Sequence, residues 1–220
     1  MELFNILKNN SILEIEQFIQ NGGDINASNN FGYTPLMCAL YFKNKNIIKL
    51  LINNGANVNA KDKVGNTPLM NALDCNNDKD IIELLMYNGA NVNAKDILGN
   101  TPLMCALNYE NDKDILELLI NNGADVNAKS NRGITPLIIV LWNKSDKDII
   151  QLFIDNGADD DLETLKIKIK KRNYRTKMLL FIEELRKERQ QRQYFKDYIW
   201  EELVARIYHP SRIHIWENYI

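Results

Sequence analysis

The sequence predicts an all-α repeat solenoid, in which short helix pairs stack on one another and hairpin-like loops join successive pairs. The tripeptide Thr-Pro-Leu begins at positions 34, 67, 101 and 135, at spacings of 33, 34 and 34 residues. Residues 53–70 and 87–104 are eighteen-residue segments in the same register that differ at only three positions. Self-similarity at this period is typical of repeat architectures, whose units bury their apolar faces only by stacking.

The first helix of each unit is predicted from the Thr-Pro pair. In the second copy, Thr67 can cap a helix start, and Pro68 suits the first helical position because the N–H it lacks would have no partner there. An apolar stripe at helical spacing follows, formed by Leu69, Met70, Ala72 and Leu73.

The second helix and the loop after it follow from the next residues of the same copy. Residues 76–78, Asn-Asn-Asp, interrupt the first helix, and Asp78 is expected to cap the second. We expect Ile81, Leu84 and Leu85 to face inward, at i, i+3 and i+4. Gly89 is expected to end the helix in the left-handed conformation, which glycine adopts without a steric penalty. An extended, hairpin-like loop then turns at Gly99, as its counterpart does at Gly65.

The chain divides into four parts on this pattern. Residues 1–31 form a divergent N-terminal capping unit, residues 32–158 four repeats, residues 159–192 a degenerate helical C-terminal cap, and residues 193–220 an amphipathic helical tail. Charge supports a boundary near residue 160: residues 1–165 carry 13 basic and 22 acidic side chains, whereas residues 166–196 carry 12 and 3. In the tail, apolar residues recur every four positions, at Phe195, Ile199, Leu203 and Ile207.

The repeated residues resemble the ankyrin repeat family. The resemblance rests on the TPLM helix start, the Leu-Leu pair of the second helix, the NGA helix stop and the VNAKD loop with its later Gly. It implies stacked helix-turn-helix units and a non-enzymatic scaffold that binds a protein partner. The histidine that usually follows TPL in the family is replaced by packing residues, which are Met37, Met70, Met104 and Ile138.

The same resemblance places partner contacts at the hairpin tips and on the concave face of the first helices, where the copies differ from one another. The predicted partner-binding residues at the tips are Phe31, Tyr33, Lys63, Val64, Ile97, Leu98 and Arg132. Those on the first helices are Tyr41, Phe42, Asp74, Asn108, Tyr109, Trp142 and Asn143. Aromatic residues are prominent among them, as they are in the hot spots of protein interfaces.

Other function classes have less support in the residues. The only histidines are His209 and His214, and the three cysteines, Cys38, Cys75 and Cys105, show no metal-ligand or disulfide spacing, so we expect no metal, no cofactor and no catalysis. The basic segment 166–172, KIKIKKR, invites a nucleic-acid interpretation, but a solvated cap helix, or attraction to the acidic repeats of another molecule, explains it as well. By position in the family, Asn59, Asn93 and Asn127 are candidate sites of hydroxylation by an oxygenase.

Residues 203–216, LVARIYHPSRIHIW, resemble a C-terminal segment of ankyrin proteins of giant DNA viruses. A degenerate F-box-like tail is the alternative interpretation. With such a tail, the chain would be an adaptor that recruits a second complex such as a ubiquitin ligase. A third interpretation is that the tail covers the cap. The uninterrupted apolar runs, among them residues 137–142 and 178–182, are too short for a membrane helix. We expect a monomer in the cytoplasm (of a host cell, if the protein is viral), with the nucleus as an alternative.

Overall fold

The computed structural model describes residues 2–9, 11–108, 113–143 and 147–158, together with residues 187 and 190. Contacts between Cα atoms divide the chain into two compact units, Met1–Ile169 and Lys170–Ile220. The described part of the first unit is helical and contains no β-strand. Its ten helices are α1 Glu2–Asn9, α2 Ile12–Gln20, α3 Pro35–Tyr41, α4 Lys45–Asn53, α5 Pro68–Asp74, α6 Lys79–Tyr87, α7 Pro102–Asn108, α8 Lys113–Asn121, α9 Pro136–Trp142 and α10 Lys147–Asp155.

The helices form five consecutive pairs. The first helices of the pairs stack in the order α1, α3, α5, α7 and α9, each one packing on the next. Each second helix packs on the first helix of its own pair. The first helices therefore form a closely spaced inner row, as in a solenoid that is concave on that side. The all-α repeat architecture predicted from the sequence is confirmed.

The core lies between the two rows of helices. In the second copy the apolar stripe of the first helix is completely buried, and its residues are Leu69, Met70, Ala72 and Leu73. The residues at the position of the family's histidine are completely buried in the last three copies, and they are Met70, Met104 and Ile138. In α6, Ile81 and Leu85 are buried as predicted, but the third inward position was wrong. Leu84 is half-buried, and Ile82 is fully buried in its place. The buried stripe of α6 therefore follows i, i+1 and i+4, which rotates it around the helix from the predicted i, i+3 and i+4 positions without widening it.

Side chains cap the first helices as the sequence predicts. The Oγ1 atoms of Thr34, Thr67 and Thr135 accept hydrogen bonds from the N–H groups three residues later, at 3.4, 3.4 and 3.3 Å. The prediction for Asp78 was only half right. It occupies the N-cap position of α6, but its carboxylate makes no capping hydrogen bond and instead forms an ion pair with Lys45 of the preceding repeat. A full charge at close range competes successfully with a single backbone N–H.

A column of asparagines joins each loop to the next repeat. Asn93 Nδ2 donates to the carbonyl of Gly123 at 2.8 Å, and Asn93 Oδ1 accepts from the N–H of Asp125 at 2.8 Å. The same paired arrangement recurs one repeat earlier, where Asn59 bonds to Gly89 and Asn91. Each asparagine therefore satisfies one donor and one acceptor at the C-terminal end of the following second helix. These bonds fix the rise from one repeat to the next.

None of the helices in the described ranges is long and apolar enough to cross a membrane.

Candidate functional site

The hairpin tips are built by a side chain that folds the loop onto itself. Asp62 Oδ1 accepts from the N–H groups of Val64 and Asn66 at 2.9 and 2.8 Å. Gly65 follows with φ of +82°, a conformation that L-residues with a side chain rarely adopt. A Cβ there would lie 3.0 Å from the backbone nitrogen of Ile97 in the next tip. Every tip combines a side-chain oxygen that accepts from tip N–H groups with a glycine at positive φ three residues later, and the accepting residues are Asn29, Asp62, Asp96 and Ser130.

Successive tips are hydrogen-bonded to one another through their backbones. The N–H of Lys63 donates to the carbonyl of Phe31 at 3.1 Å, that of Ile97 to Val64 at 3.0 Å, and that of Asn131 to Leu98 at 2.8 Å. The backbone hydrogen bonds hold the tips in a row and leave their side chains to solvent. The predicted tip residues are all exposed along this tip row, and they are Phe31, Tyr33, Lys63, Val64, Ile97, Leu98 and Arg132.

The ends of the first helices form a second exposed surface beside the tips. Tyr41, 70% exposed, and Phe42, 50% exposed, contact each other edge to face with ring centroids 5.6 Å apart. Asn108 is exposed as well, and Asp74 is half-buried. These residues stand at corresponding places in three repeats, so the structure brings this part of the predicted set onto one face.

Three other predicted partner-binding residues are not seen on this exposed surface. Asn143 Nδ2 donates to the carbonyl of Leu107 in the previous repeat at 2.6 Å, so this amide already helps to join two repeats. Tyr109 lies outside the described residues, and so does the side chain of Trp142, whose backbone ends α9.

A cavity of about 330 Å³ opens between the first two full repeats. Tyr33, Tyr41 and Phe42 form its aromatic wall, and Asp74 is the charged residue among those that line it. The remaining lining residues are Met37, Cys38, Asn66, Asn71 and Cys75. We call this space the Asp74 cavity. It has an aromatic side, an amide side and one carboxyl group.

The carboxyl group of Asp74 is held in an unfavourable environment for a charge. Burial is the main cause that raises the pKa of Asp74 to about 6, and the negative charges of Asp96 and Asp62 add to it. A hydrogen bond with the Cys105 thiol acts in the opposite direction. Asp74 Oδ1 and Asp62 Oδ2 are both buried, and neither has a hydrogen-bond partner among the residues that the structure describes. Of these two atoms, only Asp74 Oδ1 belongs to a residue that lines the cavity, so the cavity carries one carboxylate oxygen atom without a hydrogen-bond partner from the described part of the chain.

The cysteines show no sign of activation as nucleophiles. Burial raises the pKa of the Cys38 thiol, and burial followed by the charge of Asp74 raises the pKa of Cys75. Cys105 is buried, and its pKa is raised by the same two causes in the same order. Each thiol is therefore kept protonated at neutral pH, whereas a nucleophilic cysteine needs the thiolate.

The asparagines considered for hydroxylation are members of the inter-repeat column. The side chains of Asn59 and Asn93 each make two hydrogen bonds to the following repeat, and Asn127 Nδ2 donates to the carbonyl of Gly157 at 2.9 Å. An oxygenase would have to break these bonds to reach the side chain. Hydroxylation at these positions stays a prediction.

Asn71 is a cavity residue that the sequence reasoning missed. It stands four residues after Thr67, and the corresponding residues of the other copies are Cys38, Cys105 and Ile139. This position varies between copies as much as the tips do, and that variation was the signal that would have found it. The basic segment 166–172, the histidines 209 and 214 and the predicted tail lie outside the described residues, and so does the predicted cap apart from residues 187 and 190. In the part that is described, no cluster of His, Cys, Asp and Glu could hold a metal ion.

The fold and the surface together define a helix-pair repeat solenoid with an exposed row of hairpin tips. Comparison with protein families assigns the class more closely. The family model described as ankyrin repeats (3 copies) matches residues 3–96 and 75–164. The chain belongs to the ankyrin repeat family, as its sequence predicts. No curated protein matches the chain, and the resemblance of residues 203–216 to viral proteins is not supported by these comparisons. Ankyrin repeats are in general modules of protein–protein interaction.

Proposed function

We propose that this protein is a non-enzymatic scaffold that binds a protein partner across its tip row and the exposed ends of its first helices. The observation that carries the proposal is where the exposed apolar side chains lie. Of the ten large hydrophobic residues exposed in the described part, seven belong to these two surfaces. They are Phe31, Tyr33, Tyr41, Phe42, Val64, Ile97 and Leu98.

An aromatic and aliphatic surface of this kind is typical of interaction sites. Tyrosine and phenylalanine bury a large apolar area and lose few rotamers when they are fixed by a partner. Contiguous exposed apolar patches are rare on monomers unless they bind something. The tip row is also held by backbone hydrogen bonds, so little ordering is required of it on binding. The backbone of the proposed site is therefore preorganised for binding.

The proposal is tested by affinity purification with quantitative mass spectrometry from the native cells, using the wild type and two variants. The double variant Tyr41→Ala/Phe42→Ala removes the aromatic pair from the first-helix ends. Tyr87→Ala is the matched control, because Tyr87 is 90% exposed at the end of α6, in the other row of helices. A set of proteins lost from the double variant and kept by the control is expected. An identical set for all three chains would show that the binding surface is assigned wrongly.

A finer possibility is an adaptor, in which the tail recruits a second complex such as a ubiquitin ligase. It is motivated by the amphipathic spacing of residues 195–207 in the sequence. Truncation after residue 192 distinguishes the two. Loss of one class of partner with the other retained would support the adaptor, whereas aggregation or unfolding would show that the tail covers an apolar edge. The three unpaired thiols favour a reducing compartment, and we propose the cytoplasm.

A further inference from the structure

The Asp74 cavity has features that a general protein-binding surface does not need. A surface that binds only through apolar contacts has no use for a half-buried carboxyl group with an unsatisfied oxygen. No lysine or arginine is among the residues that line the cavity. The nearby Lys43 directs its Nζ to the carbonyl of Asn76 at 3.3 Å. Within the described ranges, no cation therefore pairs with the carboxyl group of Asp74.

Three aromatic side chains stand beside this carboxyl group. The faces of aromatic rings carry negative charge density and attract cations, most often guanidinium groups in proteins. A carboxylate next to such rings combines two attractions for the same cation, since arginine stacks on the ring and donates to the carboxylate. A neutral apolar side chain in the cavity would bury the carboxyl group further without a hydrogen bond. An acidic one would add to the repulsion that Asp62 and Asp96 already exert on Asp74.

We propose that the Asp74 cavity receives the side chain of an arginine on the protein partner, with its guanidinium group paired to the Asp74 carboxylate and stacked on the Tyr41–Phe42 pair. This inference rests on the proposed function and names the chemistry that the partner must present. The cavity volume of about 330 Å³ suits one long side chain. It lies at the lower end of the range for ligand sites, about 300–1,000 Å³. The amides of Asn66 and Asn71 line the same space and offer acceptors for the remaining guanidinium donors.

The elevated pKa of Asp74 is consistent with such a site. In the free protein the carboxylate is disfavoured by its surroundings, and a guanidinium group would remove that disadvantage on binding. Acidic residues outnumber basic ones by 22 to 13 over residues 1–165, so the repeats as a whole attract a basic partner. The sequence of the partner around its arginine would then contact the tip row.

The test uses the full chain and three short probes: acetyl-Gly-Arg-Gly-amide and the same peptide with lysine or glutamine in place of arginine. Binding is followed by NMR titration, with methyl-labelled Met37 and the backbone N–H groups of Asn71 and Asp74 as reporters in the cavity. We expect saturable shifts at these reporters for arginine, weaker binding for lysine, and an affinity for glutamine at least about tenfold below that for arginine. Equal shifts with the glutamine peptide would overturn the assignment, since glutamine has the length without the charge.

Two variants with the same change in net charge distinguish binding in the Asp74 cavity from attraction by the overall negative charge of the protein. Asp74→Asn should lower the affinity for the arginine peptide about tenfold or more and leave the glutamine peptide unaffected. Glu83→Gln, on the exposed side of α6 in the same repeat, should bind the arginine peptide as the wild type does. The NMR spectrum of each variant shows directly that it is folded. Similar losses in both variants would mean that net charge, and not the cavity, attracts arginine.

The cation could also come from the basic segment 166–196 of a second copy of the chain. Light scattering tests this alternative because it measures whether the protein dimerises. Dimerisation that depends on protein concentration and disappears in Asp74→Asn would overturn the assignment to a partner protein. The outcome also separates this inference from the proposed function. If arginine does not bind while Tyr41→Ala/Phe42→Ala still loses its partners, the scaffold proposal stands and the arginine proposal falls. If the peptide binds but no partner is lost from the double variant, the cavity binds arginine, while the scaffold proposal and the assignment of that arginine to a protein partner both fall.

Discussion

Replacing Asp74 by asparagine should stabilise the protein at neutral pH and leave its stability unchanged in acid. Asp74 has a pKa of about 6 in the folded chain against an ordinary value of 3.8, a difference of about two units. At 1.36 kcal/mol for each unit, an ionised Asp74 would cost about 3 kcal/mol if it were fully buried. Because the side chain is only half-buried, water screens the charge, and we expect about 1 kcal/mol.

The sign of the pH dependence follows from proton binding. Between pH 3.8 and 6 the folded state holds the Asp74 proton more tightly than the unfolded state does. The free energy of unfolding therefore falls as the pH rises through this window, and the loss is complete above pH 6. Asparagine has the same shape as the protonated acid and no charge at any of these pH values. The variant should match the wild type near pH 4 and exceed it at pH 7.5.

Urea unfolding followed by circular dichroism at pH 4.0 and pH 7.5 measures this difference for the wild type, Asp74→Asn and Glu83→Gln. Glu83 is exposed, and its replacement controls for the change of one unit of net charge. The expected result is a gain of about 1 kcal/mol for Asp74→Asn that is confined to pH 7.5, with less than about half of that for the control. A loss of stability at pH 7.5, or an equal gain at both pH values, would refute the electrostatic account of the cavity. A residue whose removal stabilises the fold is kept for function rather than for stability.

Two further predictions concern the connections between repeats. Asn93→Ala removes both 2.8 Å hydrogen bonds to the next repeat and should lower the free energy of unfolding by about 1–3 kcal/mol. Asn88→Ala is the control: it loses one 2.8 Å bond within its own repeat and should lower the free energy of unfolding by about 1 kcal/mol. Equal losses of the two variants in thermal or urea unfolding would show that the asparagine column does not join the repeats. Gly55→Ala and Gly65→Ala both place a side chain at positive φ, which costs about 1–2 kcal/mol, but only the Gly65 variant also approaches the nitrogen of Ile97, at 3.0 Å. Its melting temperature should fall further than that of Gly55→Ala, and a ranking in the other order would contradict the described contact between tips.

The parts of the fold that the sequence predicted are those encoded by neighbouring residues. Thr67 caps its helix because the residue three positions later is close in any helix start, and Gly89 adopts positive φ because few other residues can. Each of these local patterns occurs in four copies, which strengthened the prediction of the fold. Asp78 shows the limit of this reasoning. A neighbouring N–H made it a good candidate for a cap, but Lys45 from the previous repeat binds it instead.

The candidate binding surface was also predicted from single positions of the repeat. Variation between copies indicated Tyr41, Phe42 and Asp74, and these residues do lie on one exposed face or at its edge. The same reasoning gave no indication that Asn143 joins two repeats, because its bond to Leu107 spans 36 residues. It also gave no indication that Asn71 lines the Asp74 cavity.

The sequence by itself determined that this protein is an ankyrin repeat solenoid with variable tips, since periodicity, caps and glycine stops are properties of segments about 34 residues long. Only the tertiary structure decided that Asp74 lies half-buried in a cavity beside an aromatic pair. That environment combines Tyr41 from one repeat, Asn71 from the next and the Cys105 thiol from a third. The charge on a carboxyl group depends on how much water and how many other charges surround it, and stacking of the repeats sets both.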